Sequence, residues 1–201
     1  LVEPAAQLDA LRRLQRLEYV RIGYADLAGL WDLAAVTGQL SALAEGLIGA
    51  VLGVAARVEG TGVGGLAILA LGKLGGGELN YSSDVDLVFI AERPTPERTR
   101  LAHAVVDGLA RARDLYRVDL RLRPWGRTGP LVTGVEAYLA YLRGPARPWE
   151  RQALLRARTV AGDRALGARF LREAQPLLFG RPAGDVREEV AGQKRRIDEG
   201  L

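Results

Sequence analysis

The chain has 201 residues, 48% hydrophobic and 26% charged, with a formal net charge of +4. That is enough to bury one core with a helical annex, and the balance is that of a globular protein. There is no cysteine and one histidine, His103; disulfides, thiol nucleophiles and Cys-ligated zinc are excluded, and carboxylates remain as the catalytic material.

Residues 5–60 contain no proline and carry apolar residues at helical spacing. Leu8, Leu11, Leu14 and Leu17 predict one helix, Leu40, Leu43, Leu47 and Val51 a second, with Leu27 to Trp31 as the turn between them. Segment 1–60 therefore reads as a helical scaffold for the catalytic sheet. The apolar stretch 46–56, bracketed by Glu45 and Arg57, is too short to span a bilayer. Gly60 to Gly65 is a joint leading into a strand.

Residues 66–89 are the chemical centre of the sequence. An apolar run, Leu66 to Leu71, stops at Gly72-Lys-Leu-Gly-Gly-Gly77; a polar turn, Asn80 to Ser83, comes next; Asp84 and Asp86 then enter a second apolar run, Leu87 to Ala91. In a strand, residues i and i+2 share a face, so the two carboxylates project side by side. Like charges held together call for a cation between them, and oxygen donors suit Mg²⁺ or Mn²⁺. The glycines offer backbone N–H groups to phosphate at close range. Gly72-Lys73 is not a P-loop, because Leu74 comes after the lysine.

Pro94 to Pro96 ends the second strand, and Thr99 to Tyr116 reads as a helix through Leu101, Val105, Leu109, Ala112 and Leu115, with His103 an ordinary member of it. Residues 116–123 then alternate in strand period. Val118, Leu120 and Leu122 fall on one face; Asp119, Arg121 and Arg123 fall on the other. Beside the Asp84 strand, Asp119 would complete a carboxylate triad, with both arginines placed to meet phosphate. Two metal ions on such a triad are what nucleotidyl transfer needs. Pro124 to Pro130 is a loop.

Thr133-Gly-Val-Glu136 reads as a capping box opening a helix from Gly134 to Arg143, which Gly144 ends. Trp149 to Arg158 is expected to be helical after Pro148, with Glu150 and Arg158 on one broad face. Arg164 to Ala174 predicts another helix. Asp185 to Glu188 predicts the cap of a last one, whose Lys194-Arg-Arg196 is a solvated face. Lys73 and Lys194 are the only lysines; the arginines are scattered among acids, and no nucleic-acid partner is expected. No signal peptide is recognisable, which points to a cytoplasmic protein without a membrane partner. The lack of an initiator Met suggests a trimmed or partial chain.

Residues 66–89 resemble the signature of the polymerase-beta-like nucleotidyltransferase superfamily, a Gly-Ser turn followed by Asp-x-Asp, with Lys73 in place of the usual Ser. Within it, Gly72 to Gly76, Glu78 to Asp86, Val118 to Val132 and Trp149 to Arg158 are similar to the glutamine synthetase adenylyltransferases. The resemblance runs weakly from about Leu11 to Leu201. It implies an α+β fold: a small mixed sheet with helices as the catalytic core, 61–132, between helical segments at 1–60 and 133–201. It further implies Asp84, Asp86 and Asp119 as catalytic metal ligands for two Mg²⁺ or Mn²⁺. Gly72, Lys73, Gly75, Gly76, Ser83, Arg121, Arg123, Glu150 and Arg158 would bind nucleotide and inorganic phosphate.

Such enzymes add AMP to a tyrosine of glutamine synthetase and remove it. Asn80, Ser82-Ser83 and Gly126 to Pro130 look like the half that removes it. Left open by the residues are ATP-dependent adenylylation and a non-catalytic module binding glutamine synthetase or a PII-type signalling protein. A small-molecule nucleotidyltransferase also stays open, though the flanking helical segments speak against it.

Overall fold

The computed structural model describes residues 3–111, 115–179, 191, 192 and 195. Helix α1 (Pro4–Leu27) starts with proline in its first turn, where no intrahelical N–H bond is lost. Helix α2 (Leu33–Val58) is capped by Asp32, whose carboxylate accepts from the Ala35 N–H at 2.8 Å. By length and composition alone α2 could cross a membrane. In this fold, however, Leu40, Leu47, Ile48, Val51 and Leu52 are buried in the core beneath it.

The buried stripe of α1 differs from the expected one. Leu8 and Leu11 pack on the core, but Leu14 and Leu17 are exposed, while Gln15, Ile22 and Ala25 are buried. Steps of three residues drift around a 3.6-residue helix, so a face begun at 8 and 11 continues through 15 and 22 rather than 14 and 17. Gln15 is tolerated inside because its amide donates to the Leu115 carbonyl at 2.5 Å.

Strand β1 (Leu66–Ala70) leads into a one-turn helix, α3 (Gly72–Gly75), and then strand β2 (Val85–Ala91). After helix α4 (Pro96–Arg111) come β3 (Val118–Asp119) and β4 (Val132–Gly134), separated by a loop with a 3₁₀ turn at Gly126–Thr128. Helices α5 (Val135–Arg143) and α6 (Pro148–Ala153), strand β5 (Arg158–Gly162) and helix α7 (Arg164–Leu178) complete the described elements.

The fold is α+β, with one mixed five-stranded sheet. β1 lies between β2 and β5, antiparallel to both. The outer edge of β2 receives two short parallel strands in tandem: β3 beside Val85–Asp86 and β4 beside Phe89–Ala91. Alternation sorts the sheet's residues into two cores. Leu66, Ile68, Ala70, Leu87 and Phe89 meet residues of α2 and α4 on one face; Ala67, Leu69, Leu71, Val88 and Ile90 meet α5 and α7 on the other. Both faces are covered, which is why β1 and β2 read as unbroken apolar runs.

Several boundaries depart from the sequence reading. Segment 133–201 is not wholly helical, since β5 lies within it. The expected Trp149–Arg158 helix stops at Ala153, turns through a 3₁₀ segment at Leu154–Arg156, and gives way to β5 at Arg158. Thr133 is a buried residue of β4, not a cap; Gly134 occupies the N-cap position of α5 with no side-chain bond. β3 is only two residues long, so the alternation expected over 116–123 ends at Asp119. Val118 and Leu120 pack in one core and Leu122 in the other. α4 is described as far as Arg111, and Leu115 and Tyr116 are buried without being helical. Ala112, Asp185 to Glu188, Lys194 and Arg196 lie outside the described residues.

Asp163 closes the far end of the fold. Its carboxylate accepts from the Leu166 N–H at 2.9 Å, capping α7, and from the Gly65 N–H at 3.0 Å, tying down the joint before β1. Those backbone donors, Leu166 first, hold its carboxyl below the usual carboxylate range. Asp163→Ala should destabilise the fold by about 1–2 kcal/mol in urea unfolding at neutral pH. A lowered folded pKa gives stability above the ordinary carboxylate value that is lost as pH falls through the folded one. The gap between variant and parent should therefore close in acid.

Candidate active site

The parallel pairing of β2 and β3 places Asp86 directly opposite Asp119 in register. Asp84, two residues before Asp86, sits where the chain enters β2. Asp86 alternates with Leu87 and so falls on the face of Val88 and Ile90, at the strand end. Burial raises the Asp86 carboxyl above its ordinary value, and the charges of Asp119 and Asp84 raise it further; Arg121 and Lys73 oppose this. Three carboxylates and a lysine thus act on one another at one end of the sheet.

Gly72 makes the placement of Asp86 possible. Its φ is +57°, and a Cβ there would stand 2.3 Å from Asp86 Oδ2. Only a residue without a side chain lets the carboxylate lie against the turn. The other glycines serve the protein itself. A Cβ on Gly75 would stand 2.5 Å from the Arg156 carbonyl and 2.7 Å from that of Ala70, and one on Gly76 would meet the Arg156 guanidinium. The N–H groups of Gly75, Gly76, Gly77 and Glu78 are bonded to the carbonyls of Leu71, Gly72, Leu74 and Lys73. They are not available to cradle phosphate as the sequence suggested.

Arginines surround the carboxylates. An open cleft of about 510 Å³ is lined by Asp84, Asp119, Arg117, Arg121, Arg123 and Arg127. Arg117 Nε donates to Asp84 Oδ1 at 2.5 Å. Arg121 grips Asp119 through its Nε, at 3.0 and 2.8 Å, its Nη2, at 2.5 Å, and its backbone N–H, at 2.8 Å. That grip is the main reason the Asp119 carboxyl lies below its ordinary value, with the charge of Arg127 adding to it. Arg123 lines the cleft but braces the loop, donating to the carbonyls of Leu120, Arg127 and Gly129.

Two residues assigned to nucleotide are placed otherwise. Arg158 stands behind the glycine turn, donating to the carbonyls of Leu74 and Gly75 at 2.9 and 3.0 Å and pairing with Glu45. Glu150 accepts from the Tyr141 hydroxyl at 2.5 Å and from the Arg147 N–H at 2.8 Å, which holds the start of α6. Neither lines the cleft. Ser83, beside Asp84 in the chain, donates to Asn80 Oδ1 at 2.6 Å and shapes the turn before β2. Lys73 is exposed and within electrostatic reach of Asp86.

Arg117 and Arg127 went unassigned in the sequence. Arg117 was within reach of the same logic: it precedes Asp119 by two, so the alternation grouping Asp119 with Arg121 includes it. Arg127 arrives through the loop between β3 and β4, which no periodicity predicts.

Does this donor set fit a divalent cation? Its chemistry does: hard carboxylate oxygens, one of them on a half-buried side chain whose charge its neighbours disfavour. Among the described residues, no three such side chains already converge as ligands; Asp84 and Asp119 are instead paired with Arg117 and Arg121. Arg117 is 79% exposed and Asp84 40%. Exposed ion pairs contribute only about 0–1 kcal/mol, so exchanging Arg117 for a cation at Asp84 costs little.

The glutamate-ammonia ligase adenylyltransferase family pattern matches residues 1–173. The chain belongs to that family. Among curated adenylyltransferase relatives, the bifunctional glutamine synthetase adenylyltransferase/adenylyl-removing enzyme of Chromobacterium violaceum is 37% identical over 203 residues, covering 96% of this chain and 23% of its own. The enzymes of the same name from Mycolicibacterium smegmatis and Idiomarina loihiensis are each 38% identical. They cover 97% and 94% of this chain, and 21% of their own length. The chain therefore spans between about a fifth and a quarter of these relatives.

Proposed function

We propose that this chain carries a nucleotidyl-transfer site acting on glutamine synthetase, and that its reaction is phosphorolytic removal of AMP from a modified tyrosine. The observation that carries the reading is the in-register pair Asp86–Asp119 beside an arginine-lined cleft. Asp84, Asp86 and Asp119 would hold Mg²⁺ or Mn²⁺. When bound, such ions screen phosphate charge and stabilise the oxygens that attack and leave.

The remaining work falls to the chain's own residues. Arg117, Arg121 and Arg127, released from or near the carboxylates, bind the oxygens of inorganic phosphate in the cleft. Lys73 adds positive charge on the Asp86 side. A phosphate oxygen attacks the phosphorus of the AMP–tyrosine diester, and the bond from phosphorus to the tyrosyl oxygen breaks. The proton carried by hydrogen phosphate ends on the tyrosine. The products are ADP and unmodified tyrosine.

Removal rather than addition is supported by Asn80, Ser82-Ser83 and Gly126 to Pro130, the residues that resemble the removing half. Asn80 Oδ1 accepts from the Ser82 N–H at 3.3 Å and from the Ser83 hydroxyl, so it sets the turn that delivers Asp84. The test is to incubate adenylylated glutamine synthetase with the chain, phosphate and Mg²⁺. ADP should appear in step with loss of the modification. AMP transfer from ATP without ADP release would assign the adding reaction. Turnover of neither kind, with tight binding of glutamine synthetase or a PII-type protein, would assign a docking module instead.

A further inference from the structure

A second cleft adjoins the first and shares Arg117 with it. It is about 240 Å³ in volume and lies between α1 and the turn before β2, walled by Tyr19, Tyr81 and Tyr116 with Gln15, Ser82 and Ser83. Tyr19 and Tyr81 meet edge to face, with ring centroids 6.0 Å apart. Tyr81 stands at the rim, its hydroxyl donating to Asp26 at 3.1 Å. Tyr116 is 5% exposed, and its hydroxyl has no hydrogen-bond partner among the described residues. Tyr19 and Gln15 are its hydrogen-bonding neighbours, though neither reaches the geometry of a formed bond.

We infer that this cleft takes the heteroaromatic base of the nucleotide whose phosphates occupy the arginine cleft, with the Tyr116 hydroxyl bonding the base edge. The inference rests on the nucleotidyl-transfer reading of the carboxylate site. Aromatic walls offer the faces and edges on which a planar ring stacks, and they tolerate any such ring. The orphan hydroxyl decides between the two rings such a substrate carries. A buried polar group without a partner is costly and signals an unfilled role. A tyrosyl ring already esterified through its oxygen has no donor or acceptor left on its rim, and would leave Tyr116 unsatisfied. A base has ring nitrogens and exocyclic groups that satisfy it. Burial raises the Tyr116 phenol above its ordinary value, so it keeps its proton and can donate. Arg117, which pairs with Asp84 and lines both clefts, marks where the sugar would bridge base and phosphate.

Calorimetry on the full chain with Mg²⁺ tests this with three probes: pyrophosphate, ADP and phenyl phosphate. ADP should bind more tightly than pyrophosphate. Tyr116→Phe should weaken ADP by about five- to tenfold, the order of one hydrogen bond, while leaving pyrophosphate unchanged. Tyr81→Ala, on the exposed rim, should weaken ADP by at least a similar factor through lost stacking, with the same indifference of pyrophosphate. ADP affinity unchanged in both variants, or no better than that of pyrophosphate, overturns the inference alone. Phenyl phosphate weakened in place of ADP assigns the cleft to the tyrosyl ring and also overturns it. If neither pyrophosphate nor ADP binds, the nucleotidyl-transfer reading itself falls and takes the inference with it.

Discussion

Asp86→Asn should abolish divalent-cation binding by calorimetry and lower turnover by about a thousandfold or more. Metal stabilisation of a developing phosphoryl charge is worth several kcal/mol, and each 1.36 kcal/mol is tenfold in rate. The fold should survive, and its unfolding midpoint should stay level or rise. Burial and the charges of Asp119 and Asp84 raise the Asp86 carboxyl. An acid whose folded pKa is raised destabilises the fold when ionised, so a neutral amide removes that cost. In the parent chain, cation affinity should weaken as pH falls through that raised value, because proton and cation compete for one carboxylate. A stable Asp86→Asn protein that still binds Mn²⁺ and turns over would remove the site.

Gly72→Ala should be nearly as damaging, by a different route. The residue stands at φ +57°, which costs an alanine about 1 kcal/mol. The added Cβ would also sit 2.3 Å from Asp86 Oδ2, so the carboxylate must move. Displacing a reacting group by about 1 Å costs on the order of a hundredfold in rate, and cation affinity should fall with it. Gly77→Ala is the matched control. Its φ is +71°, but nothing lies within 4 Å of a Cβ there. It should show the backbone cost in denaturant unfolding and leave cation affinity alone. Equal kinetic effects from the two substitutions would mean that the approach of Asp86 to Gly72 has no part in function.

Much of this arrangement was legible from alternation and turn chemistry. β1 and β2 announced themselves as short apolar runs flanked by glycine and polar turns. Asp84 and Asp86 came from period two, and the pairing of Asp86 with Asp119 needed only a parallel neighbour for β2. β5 was missed because Arg158-Thr-Val-Ala-Gly162 comes after a helical stretch with no proline or glycine between them, so the amphipathic helical period runs on into it. Its β-branched Thr159 and Val160, ending at Gly162, were the available signal. Arg121 and Arg123 were placed on a strand that ends at Asp119. What ends it is a loop running from 120 to 131, braced from within by Arg123 on the carbonyls of Leu120, Arg127 and Gly129, side-chain-to-backbone bonds that no hydrophobic periodicity announces. Arg158 and Glu150 look like ligands in sequence because they are charged and near the right motifs. In the fold their bonds go to backbone groups and to neighbouring side chains.

The most direct measurement is anomalous diffraction from a crystal of this chain soaked with Mn²⁺ and ADP. The account predicts manganese between Asp86 and Asp119 with Asp84 in reach, Arg121 swung from Asp119 toward phosphate, and the glycine turn unmoved. Manganese bound elsewhere, with Asp119 still clasped by Arg121, would contradict it.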